Sequence, residues 1–152
     1  MPRKSKIAFI EPLLTASMIL ERHIDGFIRQ ANSDSYGLTQ FKILLSIQRS
    51  KKSLDCCQAS IAQLWGISEA AVSRQIGILA KDKLITRSSD PDEMRKTVLG
   101  LTAKGKTFVS KTMRMVDKEL SRIFKPVSKT TKGQLATHLY KVLESLSKNT
   151  LY

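Results

Sequence analysis

The sequence predicts a mainly α-helical protein with one small β-hairpin, and three observations carry that expectation. Apolar residues recur at three- and four-residue spacings along most of the chain. One turn-rich stretch, SSDPDE, is flanked by short alternating runs. No internal repeat or low-complexity tract interrupts the pattern. The 152 residues, 41% hydrophobic and 26% charged, suit one domain with a core and are too charged for a membrane span.

The first helix is expected from about Pro12, whose fixed φ suits a first helical turn. Leu13, Leu14, Ile19, Leu20, His23, Ile24, Phe27 and Ile28 recur at three- and four-residue spacings until NSDSYG ends it. A second helix fits LTQFKILLSIQRS, with Thr39 as its cap and Phe41, Leu44, Leu45 and Ile47 as core. A third starts after Asp55, which has capping-box spacing to Gln58, and runs through Ile61, Ala62 and Leu64 to Trp65, where Gly66 stops it.

Ser68 caps a fourth helix, so residues 61–79 read as helix, tight glycine turn, helix. On a wheel of 100° per residue, Val72, Ile76 and Leu79 fall in one narrow sector. Ala70, Arg74, Gly77 and Lys81 fall opposite, with Ser73 at the edge. By itself, a helix with a charged far side is an ordinary surface helix. Here the small outward residues leave room for it to lie deep in a DNA major groove, about 12 Å wide, with Arg74 reaching toward a guanine edge.

The following stretch, LITRSSDPDEMRKTVLGLT, reads as the hairpin, anchored by Leu84, Ile85, Val98, Leu99 and Leu101. Its flanks and tip carry Arg87, Arg95 and Lys96, and a slender ribbon bearing guanidinium groups suits a minor groove. Glu93 is placed to hold Arg95. The acids Asp90, Asp92 and Glu93 do not make an EF-hand, because the required glycine and terminal glutamate are absent. Thr102 then caps a helix through Phe108, Val109, Met113, Val116, Leu120, Ile123 and Phe124, broken by Pro126. Thr131 and Gln134 begin a last one, with Leu135, Leu139, Val142, Leu143 and Leu146 on a stripe.

The net charge is +13, from 26 Lys and Arg against 13 Asp and Glu, with a pI near 10.0. Such a field draws polyanions, nucleic acid first and an anionic membrane surface second. The start, MPRKSKIAFIEP, is broken by Glu11 and Pro12 and does not form a secretory signal, so the expected location is the cytoplasm. Cys56 and Cys57 are adjacent and are the only cysteines, which excludes a distant disulfide or a four-ligand zinc site. Two distant histidines, no phosphate-binding glycine loop and no nucleophile elbow leave no catalyst to assign, so an enzyme is not expected, and neither is a cofactor.

The run from Leu38 to Gly105 resembles the MarR family of bacterial winged helix-turn-helix regulators. The resemblance rests on LTQFKILL, IAQLWGIS, AAVSRQIGILAKDKLITR and EMRKTVLGLTAKG. Family members show an acid, any residue and an arginine eight and six positions before the leucine of Leu-Thr. Glu93 and Arg95 hold those places ahead of Leu101 and Thr102, with glutamate replacing the usual aspartate.

The resemblance implies a winged helix-turn-helix over residues 38–106, flanked by dimerisation helices in residues 1–37 and 107–152. It implies a homodimer on double-stranded DNA whose recognition helices lie about 34 Å apart on a pseudo-palindromic operator. Repression is the family's commoner habit. Ser68, Ala70, Ser73, Arg74, Gly77 and Lys81 on the helix and Arg87, Arg95 and Lys96 on the wing are the candidate DNA contacts, with Lys104, Lys106 and Lys111 near flanking phosphates.

Family members are often released from DNA by a small, commonly aromatic and anionic effector held between the dimer helices and the DNA-binding lobe. His23, Tyr36, Phe41 and Arg49 are the candidate lining groups. Cys56 and Cys57 are expected to be packing thiols, since the family's thiol-sensing branch carries its cysteine in the N-terminal helices. The alternative reading is an architectural protein that coats DNA without sequence preference, which the charge explains equally well.

Overall fold

A computed structural model describes residues 8–33, 35–50, 57–89 and 97–149. In chain order they form α1 (Ile10–Ala31), α2 (Leu38–Arg49), α3 (Gln58–Trp65), α4 (Glu69–Lys81), β1 (Ile85–Ser89), β2 (Thr97–Leu101), α5 (Ala103–Ile123) and α6 (Lys129–Asn149). The mainly α class and the hairpin are as the periodicity predicts. The chain divides into two compact units, Met1–Val116 and Asp117–Tyr152. No described helix is long and apolar enough to cross a membrane.

The core of the first unit gathers Ile28 of α1, Ile43 and Leu44 of α2, Ile61 of α3, Val72, Ile76 and Leu79 of α4, Leu84 beside β1 and Val109 of α5, each at most 2% exposed. All but Ile43 are residues that the spacings single out, brought to one centre; on α2 Ile43 is buried, whereas Leu45, expected in the core, is half-buried.

Several helix starts differ from the sequence expectation, each for a local reason. Helix α1 begins at Ile10 rather than Pro12. The first turn's amides have no helical acceptor, and the first donor is Leu13, to Phe9 at 3.1 Å, so proline at the third position costs no bond. Helix α2 begins at Leu38, ahead of the expected cap Thr39. Its leading amides are taken by side chains: Gln40 Oε1 accepts from the Gly37 amide at 2.9 Å, and Asp25 Oδ1 of α1 accepts from the Leu38 amide at 2.7 Å. Burial pushes the Asp25 carboxyl up, but its bonds to Arg29 and to the Leu38 amide, with the Arg29 charge, outweigh that and hold it below its usual value.

Helix α3 begins at Gln58, and the cap is Cys57, whose amide donates to Ser60 Oγ at 3.3 Å; the expected cap Asp55 lies outside the described residues. Gln58 instead reaches across the turn, its Nε2 donating to the Glu69 carbonyl at 3.2 Å. Helix α6 starts at Lys129, not Thr131, because Ser128 Oγ accepts from the Thr131 amide at 3.1 Å. Thr102 caps α5 as expected, its Oγ1 accepting from the Gly105 amide at 3.0 Å.

Two helices end in the same six-residue wrap. After α3, Gly66 sits in the left-handed region at φ 60°, and the Ile67 amide donates back to Ala62 at 3.0 Å. After α4, Lys83 takes that position at φ 59°, and the Leu84 amide donates to Leu79 at 2.9 Å. A lysine there accepts a conformational cost of about 1 kcal/mol that glycine would avoid.

The α4 exit is braced from the other side of the unit. Tyr36 donates its hydroxyl hydrogen to the Asp82 carboxylate at 2.8 Å and stacks edge-on against Phe108, with ring centroids 5.1 Å apart. Burial, with the Asp82 bond and charge, pushes the Tyr36 phenol up to about 12 from 10.0. A raised phenol pKa means that the neutral form is favoured in the fold. Its contribution is therefore complete below pH 10 and is lost as pH rises from 10 to about 12. Tyr36→Phe should be less stable than the parent near pH 8, and the gap should narrow above pH 10. Urea midpoints at pH 8, 10 and 11 check this, and a gap independent of pH would refute it.

Candidate nucleic-acid interface

The turn after α3 and helix α4 are positioned by contacts on three sides. Trp65, the last residue of α3, donates its indole N–H to Ser46 Oγ of α2 at 2.8 Å, and Lys42 lies over its ring at 4.9 Å. Lys42 also pairs with Glu21 of α1 at 2.6 Å, so the end of α3 is tied through α2 to α1. Ser68 caps α4, accepting from the Ala71 amide at 3.2 Å. Inside the fold, Val72, Ile76 and Leu79 are 0–2% exposed. Gln40 Nε2 of α2 donates to Gln75 Oε1 of α4 at 2.9 Å, which limits rotation of α4 about its axis.

With that face buried, Ala70, Ser73, Arg74, Gly77 and Lys81 are exposed, as the wheel predicts, and so is the cap Ser68. A side chain at Gly77 would meet nothing within 4 Å. The surface is therefore thin around one long cation. Among the described residues, neither Arg74 nor Lys81 is paired with a carboxylate. Two further residues of α4 were not singled out by sequence reasoning. Gln75 had no signal, because its role depends on a glutamine 35 positions away. Ile78, 44% exposed, does not fit the expectation that apolar residues of the helix point inward.

The hairpin is antiparallel, with Ile85 opposite Leu101 and Ser89 opposite Thr97. Leu84, Ile85, Val98 and Leu99 are its buried base. Arg87 is exposed on β1 opposite Leu99. Glu93, Arg95 and Lys96 lie outside the described residues. Lys104 is engaged within the unit, its Nζ donating to the Asp82 carbonyl at 2.9 Å, so it fastens α5 to the end of α4, whereas Lys106 and Lys111 are exposed.

The structure does not gather the candidate effector residues in one place. Phe41 is core, 5% exposed, and Arg49 stands eight residues further along α2, about 12 Å by helical rise. Arg49 lines a cavity of about 360 Å³ with Leu45, Ile61, Leu64 and Trp65. Tyr36 lines another, of about 500 Å³, with Leu84, Lys104 and Phe108. His23 is exposed on α1. Cys57 is partly exposed at the start of α3, and Cys56 lies outside the described residues.

A helix ended by a left-handed glycine, a second helix with a thin cationic outer face, and an antiparallel hairpin after it make this a winged helix-turn-helix protein. Its fold is that of the MarR-type regulators. It is similar to apo MarR from E. coli, with a TM-score of 0.75 and 18% identity over 89% of this chain and 96% of that one. It is similar to MepR, a transcription regulator of the Staphylococcus aureus multidrug efflux pump MepA, with a TM-score of 0.67 and 22% identity over 91% and 98%. A cysteine-to-serine mutant of E. coli MarR complexed with operator DNA matches with a TM-score of 0.69 and 18% identity over 90% and 94%. No protein-family model and no curated protein matches the chain.

Proposed function

We propose that this protein is a DNA-binding transcriptional regulator of the MarR type, a homodimer reading a pseudo-palindromic operator, and that it acts as a repressor. The observation that carries the reading is the outer face of α4, exposed and uncovered from Ser68 to Lys81 while its inner face is packed. A structural neighbour holds operator DNA on the same fold. A partner copy accounts for the apolar surface that α1 leaves open, where Phe9, Leu14, Met18 and Ile19 are 57–63% exposed. Separately, α6 leaves Leu135, Val142 and Leu143 at 45–58%.

Release by a small aromatic or anionic effector is part of the family reading. A ligand of this kind acts by binding one spacing of the two recognition helices more tightly than another. The test is selection of binding sites from random duplexes at about 0.15 M salt, where nonspecific charge binding is weakened, together with the solution mass. An inverted repeat with half-sites one turn apart, bound by a protein of twice the chain mass, supports the proposal. Absence of a consensus, with binding that vanishes as salt rises, favours the architectural alternative that the +13 charge also fits.

Two glycines separate stability from binding. Gly77 and Gly133 both lie inside helices with open space where a side chain would stand. Alanine at either should stabilise its helix by about 0.5–1 kcal/mol through the unfolded chain. Only Gly77→Ala should also weaken operator binding severalfold, because its methyl group would stand on the face that approaches the bases. Thermal melts and titrations of both variants check this, and equal operator affinities would remove Gly77 from the interface.

A further inference from the structure

We propose that Ile78 is a specificity-determining residue that reads the C5-methyl group of one thymine in the operator. The inference rests on the DNA-reading function proposed above and deepens it. Ile78 is 44% exposed although it lies in a helix whose other large apolar residues, Val72, Ile76 and Leu79, are 0–2% exposed. Isoleucine is not selected there by helix propensity, since a β-branched side chain is a poorer helix former than alanine, lysine or glutamine.

Its neighbourhood points outward. It stands one turn after Arg74 on the same side of the helix, so the two side chains are adjacent. The next residue before it, Gly77, adds no bulk. Gln75, one turn back on its other flank, is held by Gln40. The result is a guanidinium and a branched apolar group side by side on the face of α4 that meets DNA. That pair matches what the major groove presents: acceptors on guanine for the cation, and on thymine a methyl group that only an apolar side chain recognises by contact. One helical turn advances about 5.4 Å and one base-pair step about 3.4 Å. The thymine is therefore placed within about two base pairs of the position that Arg74 reads.

Replacing thymine by uracil in the selected operator removes the methyl group and nothing else, and a scan of every thymine, read with the parent protein and with Ile78→Ala, tests the assignment. One buried methyl-sized group corresponds to about a fourfold change in affinity. The parent should lose about that factor at one thymine close to the Arg74-dependent position. Ile78→Ala should lose a similar factor on the natural site and be indifferent to uracil there. A parent indifferent to uracil at every position would overturn the assignment, as would Ile78→Ala that keeps the parent's uracil sensitivity. Since Ile78 is half in solvent, the alanine variant is expected to fold, and a matching thermal melt verifies it. If selection recovers no consensus at all, the failure belongs to the sequence-reading function and not to Ile78 alone.

Discussion

Replacing Gly105 by alanine should cost about 4 kcal/mol or more, a large part of the 5–15 kcal/mol that stabilises a domain of this size. The reason is space rather than backbone conformation. A Cβ at Gly105 would fall 2.0 Å from the Leu84 carbonyl oxygen, 3.0 Å from its carbon and 3.3 Å from Leu101 Cδ2. That carbonyl cannot retreat freely, because it accepts the Thr102 amide at 3.1 Å. Thr102 in turn caps α5 through the Gly105 amide at 3.0 Å, and its Oγ1 lies 2.7 Å from the Lys83 carbonyl that it bonds. Relief of the clash therefore opens the junction where α4, the hairpin and α5 meet. Urea unfolding followed by circular dichroism measures the loss, with Gly133→Ala as a control expected to gain stability. An unchanged midpoint in Gly105→Ala would mean that α5 does not approach Leu84 this closely.

Arg74→Ala should reduce affinity for the selected operator by about 1–3 kcal/mol and relax preference at one base pair, with a much smaller effect on random DNA. Arg74 is exposed at the centre of the outer face, and its planar fork can donate two hydrogen bonds to O6 and N7 of guanine, which lysine cannot reproduce. Lys106→Ala provides the contrast. Lys106 is exposed near the start of α5, and if it meets a flanking phosphate as proposed, its removal should weaken all sequences alike and lower the salt slope by about one. Titrations on operator and random duplexes at several salt concentrations distinguish the two. Equal losses on both duplexes for Arg74→Ala would make it a phosphate contact.

The inward and outward faces of α4 were legible because its periodicity is unbroken: Val72, Ile76 and Leu79 are where the wheel places them, and so are the exposed Arg74 and Gly77. The end of α3 was equally legible, since a left-handed residue is marked by glycine. The end of α4 was not marked, because Lys83 adopts that conformation without the residue type that announces it. The caps of α2 and α3 were misplaced for a related reason. Asp25 reaches the Leu38 amide of α2 from another helix, 13 positions earlier in the chain, and Cys57 is not a residue that sequence rules favour as a cap.

The sequence by itself determined the order of elements, the apolar sector of each helix and the cationic character of the surface. These follow from local periodicity and composition, which need no knowledge of the partners. Only the tertiary structure decided which polar side chains hold α4 in place, that Tyr36 and Lys104 brace its end and that Ile78 stands in solvent. It also decided that Phe41 is core while Arg49 and Tyr36 line separate cavities. Those facts depend on pairs of residues far apart in the chain, such as Gln40 with Gln75 and Tyr36 with Asp82, whose meeting is set by how the helices pack and not by any spacing within them.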